Sequence, residues 1–210
     1  MFIKKLGLSI SATIFVLQAL FAEHLVIDDF DSYSNTEELR LKWNSFGSAA
    51  SSGPASLAIE EGYAGSNAAL FNLNWDVGNN ANMRLFQPPT QAQNLTRFIT
   101  CVVWLKILRD DGNFDAPSTT TSLRLAIEGG PDNSIWQTKA DEEVEIDFGK
   151  YEEAQFSLLD TEMERVSGKS SFNETLAEIK SIRLRFENQI ESRARQDVYI
   201  DSVIVITNTK

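Results

Sequence analysis

The 210-residue chain has a single cysteine, Cys101, and a single histidine, His24. One cysteine rules out an intramolecular disulfide, so stability has to come from packing and from any bound metal. One histidine in a terminal segment assembles no Ser-His or Cys-His pair, and with one cysteine it supplies no zinc ligand set. Cations are also scarce: 19 Lys and Arg face 30 Asp and Glu, a formal net charge of -11. Such a field repels phosphate backbones and anionic lipid, which excludes nucleic acid and leaves divalent cations and neutral polymers as compatible partners. There is no internal repeat. The acidic doublets Glu60-Glu61, Glu142-Glu143 and Glu152-Glu153 read as solvated surface, so two-carboxylate glycoside cleavage finds no specific pair, and a non-enzyme is expected.

Long apolar runs are missing too, except at the start. Lys4-Lys5 precede the apolar stretch Leu6 to Phe21, which ends at Ala22. This pattern reads as a secretory signal peptide over 1–22, and the stretch is short of the roughly 20 residues a bilayer span needs. A secreted or periplasmic product is expected, with no membrane attachment after cleavage near Ala22. Losing Lys4 and Lys5, with no acid in that segment, takes the net charge from -11 to about -13. Residues 23–210 then form one domain, expected to be a monomer.

What is present is β structure. Short β-branched or aromatic segments, separated by Gly, Asn, Pro and Ser clusters, predict strands at 25–29, 56–60, 68–75, 82–87, 97–108, 122–128, 143–148, 181–187 and 197–206. Asn35 with Glu37 and Glu38 predicts a short helix over 36–42, and a single helical turn is expected from Asn173. Alternation assigns faces. Cys101, Val103, Leu105 and Ile107 turn to the core, leaving Trp104 and Lys106 outside. Leu123, Leu125 and Ile127 go inward and Arg124 outward; Ile182, Leu184 and Phe186 go inward and Arg183 and Arg185 outward; Met83 and Leu85 go inward and Arg84 outward. In the last strand, Val198, Ile200, Ile204 and Ile206 fall on one side and Tyr199, Asp201, Val203 and Val205 on the other. Both sides are apolar, so Asp201 needs a partner.

The fold class expected is all-β: a jelly-roll β-sandwich of two antiparallel sheets with one or two short helices. Leu25-Val-Ile-Asp28-Asp29-Phe30-Asp31-Ser32-Tyr33, with Trp43 about ten residues on, resembles the opening of jelly-roll carbohydrate-binding-module-like domains of the galactose-binding-like superfamily. Val198-Tyr199-Ile200-Asp201-Ser202-Val203 is similar to their final strand, and Gly65-Ser-Asn-Ala-Ala-Leu70 to their early loop-strand turn. The resemblance implies a structural Ca²⁺ held by Asp31 and Asp201, with Asp29 next and with carbonyls of the glycine loop. Where such strands often carry two consecutive acids, this one has Ser202, which weakens the ion's site.

The resemblance also implies a polysaccharide or glycan as partner. Indole stacks on the C–H face of a sugar, and guanidinium groups bond its hydroxyls, so Trp104, Arg124, Arg183, Arg185 and Arg84 are the expected ligand contacts. The competing reading has Trp104 covered by a loop or the first helix and the arginines paired with Glu128, Glu145, Asp147 and Glu187. Two alternatives to sugar binding are an extracellular or envelope structural or protein-interaction domain of the same fold, and a jelly-roll lyase or hydrolase. A second acidic loop, Asp111-Gly-Asn113-Phe-Asp115, lacks the sixth-place glycine of a calcium hand and has Ser122 at the twelfth place, so it reads as a solvated hairpin loop.

Overall fold

A computed structural model describes residues 23–47, 55–75, 80–86, 92–109, 120–187 and 195–207. The signal-type segment and the Asp111 loop lie outside the described residues. Among the described residues, thirteen strands, β1 (His24–Asp28), β2 (Trp43–Phe46), β3 (Ser56–Ala58), β4 (Ala68–Asn74), β5 (Asn80–Phe86), β6 (Phe98–Arg109), β7 (Thr120–Gly129), β8 (Ser134–Thr138), β9 (Val144–Asp147), β10 (Tyr151–Ser157), β11 (Met163–Ser167), β12 (Ile179–Glu187) and β13 (Arg195–Thr207), form two antiparallel sheets. Sheet one runs β10-β6-β13-β4-β3, with β1 continuing alongside β13; sheet two runs β11-β8-β7-β12-β5-β2, with β9 on β7. Helix α1 (Thr36–Lys42) is capped by Asn35, whose side chain accepts from the Glu38 N–H. Helix α2 (Phe172–Ala177) starts with a capping box of Ser171 and Glu174. This is the jelly-roll β-sandwich expected.

The core lies between the inner faces. Val103, Leu105 and Ile107 of β6 meet Leu123, Leu125, Leu184 and Phe186 of the opposite sheet, all with no exposed surface, and Phe71 and Phe186 touch across it with ring centroids 6.1 Å apart. Alternation therefore places the β6, β7 and β12 faces correctly. The last strand differs. β13 pairs Ile200 with Leu105 but Ser202 with Trp104, so one residue, Asp201, is inserted opposite that step as a β-bulge. The bulge resets the alternation: Val198 and Ile200 before it and Val203 and Val205 after it all face the core, while Ile204 and Ile206 turn outward. The strand is not covered on both sides. The expectation of a carboxylate trapped between two apolar faces is corrected to one of a carboxylate aimed outward by an irregular ladder.

The first and last strands lie side by side, with Leu25 opposite Val205 and His24 opposite Ile206. His24 is thus part of a strand rather than of a loose terminus, and it is exposed. At the end of β1, buried Asp28 accepts three hydrogen bonds, from the Tyr33 hydroxyl at 2.5 Å, the Trp43 indole N–H at 2.9 Å and the Phe30 N–H at 3.0 Å. Burial and then the Asp28 carboxylate push the Tyr33 phenol well above its ordinary range. The acid of this first segment that the fold buries is Asp28, not Asp29 or Asp31, both of which are exposed.

Candidate functional site

The expected ligand residues divide between the two sheets. Arg84 on β5, Arg124 on β7, and Arg183 and Arg185 on β12 share the outer face of sheet two, whereas Trp104 on β6 stands on the outer face of sheet one. A sandwich puts its whole core between those faces, so the five residues do not line one cleft.

On sheet two the register sets Arg183 directly opposite Arg84 and Arg185 directly opposite Arg124. Like charges facing each other across a ladder are unfavourable. Each pair is bridged by a glutamate one step along β7 or β12. Glu128 contacts Arg84 at 3.7 Å and accepts a short charged hydrogen bond from Arg183; Glu187 contacts Arg124 at 3.5 Å and Arg185 at 2.5 Å. Glu143 adds a contact to Arg124 at 3.4 Å, and Gln137 accepts from Arg185. Burial alone would raise the Glu128 carboxyl, but hydrogen bonds from Arg183 and Ser181 and the two guanidinium charges hold it below its ordinary value. Burial and the neighbouring Arg183 lower Arg84, with Glu128 opposing them. Of the carboxylates expected to pair with the arginines, Glu128 and Glu187 do; Asp147 instead meets Lys150, and Glu143 takes a place that was not foreseen.

The small residues between the arginines explain how the network lies. Ala126 sits opposite Arg183 and is 3% exposed, and Ser181 opposite Glu128 is 1% exposed, although both face outward. Long side chains lie flat over them, at 14–22% side-chain exposure for Arg124, Arg183 and Arg84. Among the described residues, Asn44 Oδ1 and Arg183 Nε are buried without a hydrogen-bond partner, so polar capacity remains unused at this face. At its edge is Phe46, 39% exposed, with the guanidinium carbons of Arg84 and Arg183 at 5.3 and 5.7 Å from its ring centre. Sequence reading missed Phe46, because β2 begins at Trp43 with no connecting turn after α1. The result is an aromatic ring, guanidinium donors and carboxylate acceptors in fixed positions on one face.

On sheet one, Trp104 is half-buried beneath Tyr63, with ring centroids 5.1 Å apart. A loop does cover it, as the competing reading held. That loop, residues 60–67, is also where the acids converge. Asp201 Oδ1 accepts from the Tyr63 N–H at 2.9 Å and from the Ser66 hydroxyl, and Asp31 Oδ1 accepts from the Asn67 N–H at 2.8 Å. Asp29 turns to its own segment and accepts from the Asp31 N–H at 3.3 Å. Among the described residues no three His, Cys, Asp or Glu side chains gather to hold a metal, so an ion here would have to draw on hydroxyl and backbone oxygen. Such oxygens are present. A methyl group built on Gly62 would lie 2.5 Å from Ser66 Oγ, 2.6 Å from Asp201 Oδ1 and 2.8 Å from the Asn67 carbonyl oxygen. These three oxygens form a cradle closed to any residue but glycine, and their chemistry is that of hard-cation ligands.

No family model matches the chain, and no curated protein matches it. Its fold is matched by solved structures. The family 11 carbohydrate-binding module from Clostridium thermocellum, in complex with a β-1,3-1,4-mixed-linked tetrasaccharide, aligns over 89% of this chain and 97% of its own length, with 14% identity and a TM-score of 0.55. A non-crystalline cellulose specific module, CBM28, aligns over 78% of this chain and 87% of its own, with 13% identity and a TM-score of 0.53. An exo-β-agarase matches 88% of this chain with only 25% of its own length, at 14% identity and a TM-score of 0.54. At these identities the likeness is one of fold, and the chain has the jelly-roll sandwich of carbohydrate-binding modules.

Proposed function

We propose that this chain is an exported, non-catalytic, monomeric carbohydrate-binding sandwich whose ligand is a polysaccharide or glycan lying on the outer face of sheet two. The observation that carries the reading is the pair of Arg–Arg cross-strand pairings, Arg84 opposite Arg183 and Arg124 opposite Arg185. Opposed guanidinium groups are unfavourable unless bridged, and bridging them with Glu128 and Glu187 fixes a row of forks and carboxylates on one face, an arrangement suited to recognition. Hydroxyls both donate and accept. They suit a row in which arginine forks alternate with Glu128, Glu143 and Glu187, while the exposed ring of Phe46 stacks on a sugar's C–H face. The fold likeness to carbohydrate-binding modules supports the same reading, and no helix among the described residues is long and apolar enough to cross a membrane. Affinity electrophoresis through gels cast with mixed-linkage β-glucan, hydroxyethylcellulose, xylan or agarose tests it. Retardation by at least one polymer is expected. Free migration in all of them, together with co-purification of a protein, would transfer the site to the protein-interaction alternative.

The same proposal includes a structural calcium ion at the cradle beside Gly62, held by Asp201, Ser66 and the Asn67 carbonyl, with Asp31 tying the far side of the loop. A hard cation there neutralises the Asp201 carboxylate and fixes the loop to the last strand. Because such a site forms only on folding, the ion stabilises by mass action. Calorimetric melting in calcium against chelator is expected to differ by roughly 5–10 °C at about a hundredfold excess over Kd. Asp201→Ala is expected to abolish the difference. A parent chain that melts at one temperature in both buffers has no such ion.

A further inference from the structure

We propose a second glycan-contact site on the opposite sheet, centred on Tyr63, at which one pyranose ring of a polysaccharide stacks while the chain's main contact is elsewhere. The inference rests on the glycan reading above, but on a different surface and on different residues.

Tyr63 is 55% exposed, yet it is not free to move. Its inner face lies on Trp104 and its edge meets Tyr151, with centroids 6.0 Å apart. Its backbone N–H is bonded to Asp201, and the Tyr151 hydroxyl donates to the Glu61 carbonyl at 2.7 Å in the same loop. Gly62 closes the loop on itself by donating to the Ser66 carbonyl at 2.8 Å. Within this loop Glu60 and Ala64 both hold left-handed backbone angles, φ 59° and 57°, which side chains other than glycine adopt reluctantly. Strain of that kind persists only where the surroundings enforce it, and it collects at ligand clamps. Covering Trp104 alone would require neither strained residue, since a looser loop could lay any apolar side chain there.

The arrangement presents one aromatic face with its rotamer already fixed, so a ligand that stacks on it loses little side-chain freedom. Groups that bond hydroxyls surround it. Glu153 stands directly opposite Trp104 on β10, and the Tyr151 and Tyr199 phenols are raised by burial first, then by Asp201 and Asp197 respectively, with Glu61 adding to both. Lys106 Nζ sits between the Tyr151 and Tyr199 rings at 4.9 and 4.5 Å. Acids at the rim disfavour a polyanion. A single exposed ring is far below the roughly 800 Å² per partner of a stable protein interface, and it matches the footprint of one sugar unit.

The test uses the same four polymer gels and titration calorimetry with oligosaccharides of whichever polymer retards the parent. Two classes of site are expected in the parent and one in Tyr63→Ala, with the second site weakened about tenfold or more. Tyr63→Phe and Tyr63→Trp, which keep the stacking face, are expected to retain both and to show that loss in the alanine variant is not misfolding. Tyr63→Ala is further expected to lower retention in an Arg124→Ala/Arg183→Ala background. A parent with one class of site, unchanged in Tyr63→Ala, overturns the second site and leaves the first. No retardation of the parent by any polymer overturns both.

Discussion

The double variant Arg124→Ala/Arg183→Ala is expected to bind polysaccharide at least a hundredfold more weakly than the parent at the sheet-two site. Each arginine belongs to a different half of the network: Arg183 works with Glu128 and Arg84, Arg124 with Glu187, Glu143 and, through Glu187, Arg185. Removing both takes away two charged hydrogen-bonding groups, each worth about 1.5–3 kcal/mol when it bonds a ligand in a shielded site, and it frees the remaining side chains to turn toward water. Together that is roughly two to four factors of ten in Kd. Glu128 keeps Arg84 and Ser181, and Glu187 keeps Arg185, but each half-buried carboxylate loses one guanidinium, so some loss of stability accompanies the loss of binding. Arg183→Lys separates the two effects. It keeps a positive charge for Glu128 but not the planar fork, so melting should change little while affinity falls about tenfold. Retention equal to the parent in both variants would show that the ligand does not use this face.

The largest stability effect is expected at Asp28. Its carboxylate receives the Tyr33 hydroxyl, the Trp43 indole N–H and the Phe30 N–H in a pocket where Phe30 and Trp43 have no exposed surface. Phe30 also holds a left-handed backbone angle, φ 60°, which that hydrogen bond helps to fix. Asp28→Ala leaves the hydroxyl and indole donors buried and unanswered, each at about 1–3 kcal/mol. A loss of roughly 3–5 kcal/mol follows, seen as a fall of about 10 °C or more in melting temperature for a domain of this size. Asp28→Asn keeps an acceptor and the shape, and should cost about half as much. A melting temperature for Asp28→Ala within a few degrees of the parent would mean that the hub contributes little.

Much of this was readable from local pattern and some was not. The inner and outer faces of β6, β7 and β12 follow from two-residue alternation, because each of those strands buries one face against the same core. The four arginines are therefore recognisable as an outward set without coordinates. Placing Trp104 beside them failed for a physical reason: which sheet a strand joins is decided by pairing between segments far apart in sequence, and alternation is silent on that. The last strand misled because a bulge changes parity at one residue, and Ile, Val and Tyr on either side of Asp201 look alike in both registers. Strands β10 and β11 escaped notice since the adjacent Glu152 and Glu153 break the alternation of Tyr151–Ser157 and Met163–Ser167 buries only Met163. Strand β8 was hidden by its short length, although Trp136 within it packs on Phe172 as an apolar reading expects. For the acids, the sequence singled out the right strand ends. It could not tell that Asp31 and Asp201 would reach one loop from two sides while Asp28 went inward.

The pairing of β1 with β13 has one more consequence. Glu23 N–H donates to Thr207 Oγ1 at 3.0 Å, and Thr207 N–H donates to the Glu23 carbonyl at 2.9 Å, so the two ends of the sandwich leave it side by side. A module whose entry and exit points coincide can be spliced into a surface turn of another protein, or tethered beside one, without stretching its host.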